Sequence, residues 1–219
     1  MKDAPAHVCI VLLTGLGDVV HGLPVVNALR GAWPGARITW VVEPMPAGIL
    51  QPHSAIDQVI VFEKKRGVRG VMDLRRRMRR ERFDLTLNFN IYSKSIFPTL
   101  FSRAPERWTF GRDRAREGVW LAGNRHPPPR PRRHTQDMFL EFAEVLGIDP
   151  LPLEWRFVIT EDEQAAQRAF IERLDGKRAV AIVPASANVK KDWPAERYVP
   201  VVDAIEHDLG ARAVLVGGP

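Results

Sequence analysis

Apolar residues along this chain fall into short, nearly unbroken runs, separated by longer stretches in which they recur every three or four positions. Residues 7–13, 37–43, 58–62 and 84–89 are too continuously apolar for strands with one wet face and predict strands buried on both sides. Residues 19–33 and 68–82 carry helical spacing between them. Trp33-Pro34-Gly35 closes the first of these helices, because proline cannot continue it and glycine accepts a left-handed cap. Strands alternating with helices in this order imply a parallel sheet with right-handed crossovers and helices on both faces.

The prolines at 127–129 and 131 remove backbone donors and enforce an extended loop, after which residues 135–146 read as a helix ending at Gly147. Pro150 and Pro152 mark a crossover into a second unit. There, residues 155–159 read as a strand, 161–174 as a helix, 179–184 as a buried strand, 195–209 as a helix and 211–217 as a further strand. The expected division is therefore 1–150 and 151–219. A doubly wound unit needs more strands than the second segment offers. Val214-Leu215-Val216-Gly217-Gly218-Pro219 is a strand-to-loop edge of the kind where such sheets bind ligands, so further sequence is expected beyond it.

Composition narrows the class. With 45% hydrophobic residues over 219 positions the chain is a globular protein. Its apolar runs are too short to span a bilayer, and its first residues lack a signal-peptide core. Cys9 is the only cysteine and lies in the first strand, where it reads as core packing in a reducing, cytoplasmic compartment. The net charge of +6 points to an anionic partner. Lys64, Lys65, Arg66, Arg69, Arg75, Arg76, Arg77, Arg79, Arg80 and Arg82 are clustered against only Asp73 and Glu81. Val68, Val71, Leu74 and Met78 recur at helical spacing within that cluster and leave the arginines on the opposite face. That face is either a solvated surface or a contact for anionic headgroups or an acidic glycolipid. Nucleic acid is not expected, since neither zinc-ligand spacing nor a recognition-helix signature accompanies the charge.

The first strand runs into Thr14-Gly15-Leu16-Gly17-Asp18, a glycine-bearing turn that opens a helix. It departs from the dinucleotide fingerprint at Val20 and places a carboxylate where a pyrophosphate would want only backbone N–H groups. Asp18 at the carboxyl end of a first parallel strand is aimed at the crevice where such sheets bind ligands, which suits a general base; the competing role is an N-cap. His21, one turn on, is either an acid–base or hydrogen-bonding group or a satisfied packing histidine. Glu43 ends the second strand in the same geometry.

These residues carry a resemblance. Gly17-Asp18-Val19 followed by His21 and Leu23-Pro24 resembles the N-terminal signature of the heptosyltransferases of glycosyltransferase family 9. Trp40-Val41-Val42-Glu43 is similar to the family's second strand. Phe83-Asp84-Leu85 through Lys94-Ser95 resembles its "YD…D.Q…KS" segment, and Gly111 with Arg116-Glu117 its glycine and "RE" loop. Lys190-Lys191-Asp192-Trp193-Pro194 resembles the ending of its phosphate-contacting loop.

The resemblance implies a GT-B type α/β fold of two Rossmann-like doubly wound domains, an acceptor-binding one over 1–150 and an incomplete nucleotide-sugar-binding one over 151–219. It implies inverting transfer of heptose from ADP-heptose, or a related nucleotide-sugar, to the lipopolysaccharide inner core. Asp18 takes the place of the catalytic base. His21, Glu43, Asn90 and Lys94 fall at acceptor-binding positions, and Ser186 and Lys191 at donor phosphate positions. Ala187 stands where a second hydroxyl is expected, and Asn88-Phe89-Asn90 replaces a carboxylate by an amide. The family's "DTG…HL" segment would follow residue 219, so impaired turnover is expected of the chain as given. Neither metal nor cofactor is implied. Peripheral contact with the cytoplasmic face of the inner membrane is expected, and the competing reading is a non-catalytic binder of anionic lipid or glycan.

Overall fold

The computed structural model describes residues 4–184 and 192–217. The chain divides into two compact units, Met1–Val158 and Ile159–Pro219.

In the first unit, β1 (His7–Val11), β2 (Arg37–Val42), β3 (Gln58–Val61), β4 (Leu85–Asn88) and β5 (Glu106–Thr109) form one sheet in the order β3-β2-β1-β4-β5. Every neighbouring pair is parallel. The fold is thus the expected α/β arrangement with a parallel sheet. On one face, α1 (Leu16–Ala32) and α5 (Thr135–Val145) pack on Ile10, Leu12, Trp40 and Leu87. On the other, α3 (Val68–Met78) and α4 (Ile96–Ser102) cover Cys9, Val11, Val41 and Ile60. A single helical turn, α2 (Ala47–Leu50), follows β2.

Two glycines set how closely helices approach this sheet. A Cβ on Gly22 would stand 3.0 Å from the Trp40 ring and 3.1 Å from the Leu12 side chain, so the backbone of α1 lies directly on these two side chains of the sheet. Gly70 is closer still, with the Glu63 carbonyl oxygen 2.3 Å from where its Cβ would sit. Cys9 is fully buried, and desolvation pushes its thiol far up from the ordinary value. It is a packing residue rather than a nucleophile. At the start of β1, burial lowers the His7 pKa, with the Arg37 charge acting the same way. Its ring lies between the Thr39 hydroxyl at 2.8 Å and the Arg82 carbonyl at 3.1 Å.

The strand expected over 155–159 does not form; the segment is irregular and pairs with no sheet. Backbone carbonyls of this stretch are used instead to strap it onto the first unit. Asn27 Nδ2 donates to the Glu154 carbonyl at 2.7 Å, and the His53 ring meets the Trp155 carbonyl at 2.8 Å. Leu153 and Trp155 pack on the core between α1 and the sheet. The first unit consequently extends to Val158, eight residues past the expected boundary at 150.

In the second unit, β6 (Ala179–Ile182) and β7 (Arg212–Leu215) pair in parallel, accompanied by α6 (Glu161–Arg173) and α7 (Val199–His207). A capping box opens α6: Thr160 Oγ1 accepts from the Glu163 backbone N–H at 3.3 Å while the Glu163 carboxylate accepts from the Thr160 N–H at 2.7 Å. Among the described residues no helix is long and apolar enough to cross a membrane.

Candidate active site

The strand order reverses at β1. Connections after it lead to β2 and β3 on one side and later to β4 and β5 on the other. The loops after β1 and β4 therefore diverge to opposite faces of the sheet, α1 to one and α4 to the other, and open a crevice at the carboxyl ends of the strands.

Asp18 stands at the rim of that crevice. The N-cap of α1 is Gly15 and makes no side-chain hydrogen bond, so Asp18, the third helical residue, is not the cap. Among the described residues its carboxylate has no hydrogen-bond or ion-pair partner, and it is only partly buried. Gly15 has φ −61°, which any residue adopts. What Gly15 and Gly17 provide is open space, since a Cβ at either would meet nothing within 4 Å. The first turn of α1 thus presents bare backbone N–H groups and one free carboxylate at the crevice.

Glu43, at the end of β2, and Lys94, in the 3-10 turn after β4, are brought together: Lys94 Nζ donates to Glu43 Oε1 at 3.0 Å and lies 3.5 Å from the Leu13 carbonyl. Side-chain exposures of 32% and 20% leave the pair part-solvated, and the lysine neutralises the carboxylate it faces. Thr14, Gly15 and Glu43 line a cavity of about 530 Å³ with Pro44, Met45 and the turn at 63–66. The Thr14 hydroxyl is buried beside it with no hydrogen-bond partner among the described residues.

Asn90 takes a different place from the one expected. It is 2% exposed, and its amide is committed inside the wall of the crevice. Its Oδ1 accepts from the Leu13 N–H at 3.1 Å, and its Nδ2 donates to the Val11 carbonyl at 2.9 Å and to Asn88 Oδ1 at 3.0 Å. The loop after β4 is thereby stitched to the end of β1. Asn88 continues the seam into α4, donating to Ser95 Oγ at 2.9 Å and Thr99 Oγ1 at 2.8 Å. Asn90 holds the floor beneath Thr14 and Asp18 and does not reach the crevice surface.

His21 lies on the side of α1 that meets the start of α5, 3.4 Å from Gln136 Oε1 and edge-on to the His134 ring at 4.9 Å between centroids. His134 caps α5 by accepting from the Gln136 N–H at 3.3 Å. The cluster ties α1 to α5. Ser186 and Lys191 lie outside the described residues.

Sequence named Glu117 only as part of the "RE" loop and gave the arginines around 112–132 no place in the site. Glu117 accepts from the Ser93 hydroxyl at 2.5 Å and the Ser93 N–H at 3.0 Å, and these bonds hold its carboxyl below the usual range. They anchor the turn that carries Lys94. Beyond β5, Arg112, Arg114, Arg116, Arg130 and Arg132 line a cavity of about 330 Å³ in which Asp113 is the only acid. Arg114 is fixed there by a 2.5 Å ion pair with Glu141, their side chains 5% and 2% exposed. A roomier cavity of about 570 Å³ lies at the amino ends of β1, β4 and β5, around Pro5, Asp84 and Pro105, and contains none of the candidate residues. No cluster of three or more metal-ligating side chains occurs among the described residues.

Comparison with known proteins agrees with the geometry. Residues 71–219 match the model of glycosyltransferase family 9 (heptosyltransferase). The chain is 30% identical over 217 residues to the lipopolysaccharide core heptosyltransferase OpsX of Haemophilus influenzae, covering 99% of this chain and 61% of that protein. It is 26% identical to lipopolysaccharide heptosyltransferase 1 of Escherichia coli K12, covering 97% of this chain and 68% of the relative. Among solved structures, a family 9 glycosyl transferase from Veillonella parvula superposes with a TM-score of 0.82 at 24% identity, over 98% of this chain and 63% of that one. The Escherichia coli heptosyltransferase WaaC with ADP gives 0.75 at 26% identity, over 97% and 67%. The chain spans about 61 to 68% of the length of these two curated relatives. With the family match extending from α3 to the last residue, the chain belongs to glycosyltransferase family 9, the heptosyltransferases.

Proposed function

We propose that the chain supplies the acceptor side and part of the donor side of an inverting heptosyltransferase that moves heptose from ADP-heptose to the lipopolysaccharide inner core. The observation that carries this reading is the Asp18 carboxylate, without a partner among the described residues, on the open first turn of α1 at the point where the strand order reverses. An acceptor hydroxyl in the crevice gives its proton to Asp18 as its oxygen attacks the anomeric carbon. The bond from that carbon to the diphosphate breaks, and ADP departs with the bonding pair. A carboxylate is a weak base for an alcohol, so it acts as the hydroxyl becomes acidic in the transition state.

The first unit holds the acceptor. Its Glu43–Lys94 pair offers hydrogen bonds to a sugar, with His21 at the edge. The arginine-lined cavity beyond β5 suits the anionic groups of a lipopolysaccharide core, because guanidinium forks match carboxylate and phosphate geometry. The segment from 159 contributes to the donor side, where Lys191 and Ser186 take up charge on the departing diphosphate. A solved relative, the Escherichia coli heptosyltransferase WaaC, carries ADP-2-deoxy-2-fluoro heptose, which supports this donor class.

The test is ADP release from ADP-heptose in the presence of inner-core acceptor. Asp18→Asn should lower kcat by about 10²- to 10⁴-fold with unchanged circular dichroism. Equal turnover by the variant would remove Asp18 as the base.

A further inference from the structure

The layer formed by α3 and α4 presents an outer surface unlike the rest of the first unit. Gly70, Leu74 and Met78 face the sheet, which turns Val68, Met72, Arg75, Arg76, Arg79 and Arg80 to the opposite side at successive helical turns. Met72 and those four arginines line a shallow groove of about 360 Å³. Arg76 pairs with Asp73, whereas Arg69, Arg75, Arg77, Arg79 and Arg80 have no acidic partner among the described residues. Arginines repeated at i and i+4 with nothing to neutralise them weaken a helix. Large apolar side chains stand among them: Val68 is 76% exposed, Met72 65%, and on neighbouring α4 Phe97 is 50% and Leu100 46%.

We infer that the outer face of α3 and α4 docks on an anionic phospholipid bilayer. Guanidinium groups around the groove meet the phosphodiester headgroups, and Val68, Met72, Phe97 and Leu100 enter the interfacial zone beneath them. Nucleic acid would use the arginines and leave these four apolar groups facing water, so a bilayer accounts for both halves of the surface. The turn at Lys64–Arg66, which borders the crevice cavity, leads directly into α3. A docked face therefore brings the crevice mouth to the level of the headgroups. The inference stands apart from the role of Asp18, because vesicle binding is read without turnover.

Co-sedimentation of the chain with vesicles of phosphatidylglycerol in phosphatidylcholine, against phosphatidylcholine alone, tests it. Binding is expected only to the first and should fall as salt rises. Arg75→Gln/Arg79→Gln/Arg80→Gln should weaken it about a hundredfold, each arginine near such a surface being worth about a factor of five. The corresponding triple lysine variant should retain binding within about tenfold of the unmodified chain, which separates charge from any loss of fold. Phe97→Ser/Leu100→Ser should leave a weaker association that moderate salt abolishes. Equal binding to phosphatidylcholine, indifference to the triple glutamine substitution, or displacement from vesicles by duplex DNA at matched phosphate concentration would each overturn the inference.

Discussion

The five-stranded sheet of the first unit is covered on both faces, whereas every residue of the two-stranded sheet in the second unit keeps some contact with solvent. Apart from Ile205 and Ala211, all the buried hydrophobic side chains among the described residues belong to the first unit. Helix α6 buries none of its residues and is held by its own capping box. Similar parallel pairing thus produces two kinds of support. In the first unit tertiary packing fixes the loops that carry Asp18, Glu43 and Lys94. In the second, local geometry has to do most of that work, and the exposed Ile171, Val183, Val199 and Leu215 leave apolar surface uncovered.

If that contrast holds, substitutions of like kind should have very different effects in the two units. Trp40→Ala, at a fully buried ring against Gly22, should destabilise the first unit by about 3–5 kcal/mol, read as a shift in urea unfolding followed by far-ultraviolet circular dichroism. A loss below about 1 kcal/mol would mean the core is looser than its burial implies. Asn90→Ala should cost about 1–3 kcal/mol. It leaves the Leu13 N–H with no acceptor, while the Val11 carbonyl keeps its bond from Phe89. Hydrogen exchange at Leu13 should accelerate in this variant, and unchanged protection there would show that the seam does not hold the floor. Ile171→Ala, on the open face of α6, should move stability by no more than about 0.5 kcal/mol. A larger loss by the same unfolding measurement would show that the second unit relies on that surface being covered.

Much of this architecture could be read from residue order. The strands β1 to β4 announce themselves because burial on both faces demands unbroken apolar runs, and α3 because it buries one stripe, Gly70, Leu74 and Met78; α1 and α5 are buried nearly all round and are set off by the breakers that end them. What escaped were short elements and long-range partners. Glu106-Arg107-Trp108-Thr109 forms the last strand of the sheet, β5, whose outer side meets only the short segment at Asn124 and Arg125, and its half-buried polar residues erase the apolar signal. Helix α4 has seven residues with Pro98 inside, too few for a period to show. Residues 155–159 read as a strand, yet the carbonyls of Glu154 and Trp155 at its start are taken by Asn27 and His53 from far upstream. At the site, Asp18 was legible from its place after a glycine turn, although the cap turned out to be Gly15. The Glu43–Lys94 pair spans 51 positions and the Asn90–Leu13 bond 77, separations at which local spacing carries no information. Glu117 and the arginine cavity depend on loops whose path only folding reveals.

The missing side chain at position 70 has an effect out of proportion to its size. Even a methyl group there would press on the Glu63 carbonyl and act as a wedge under the first turn of α3, prying that end of the helix outward. The tilt of the whole cationic surface relative to the crevice is then governed by a single hydrogen atom, so alanine at this position would re-aim the surface without touching any of its charges.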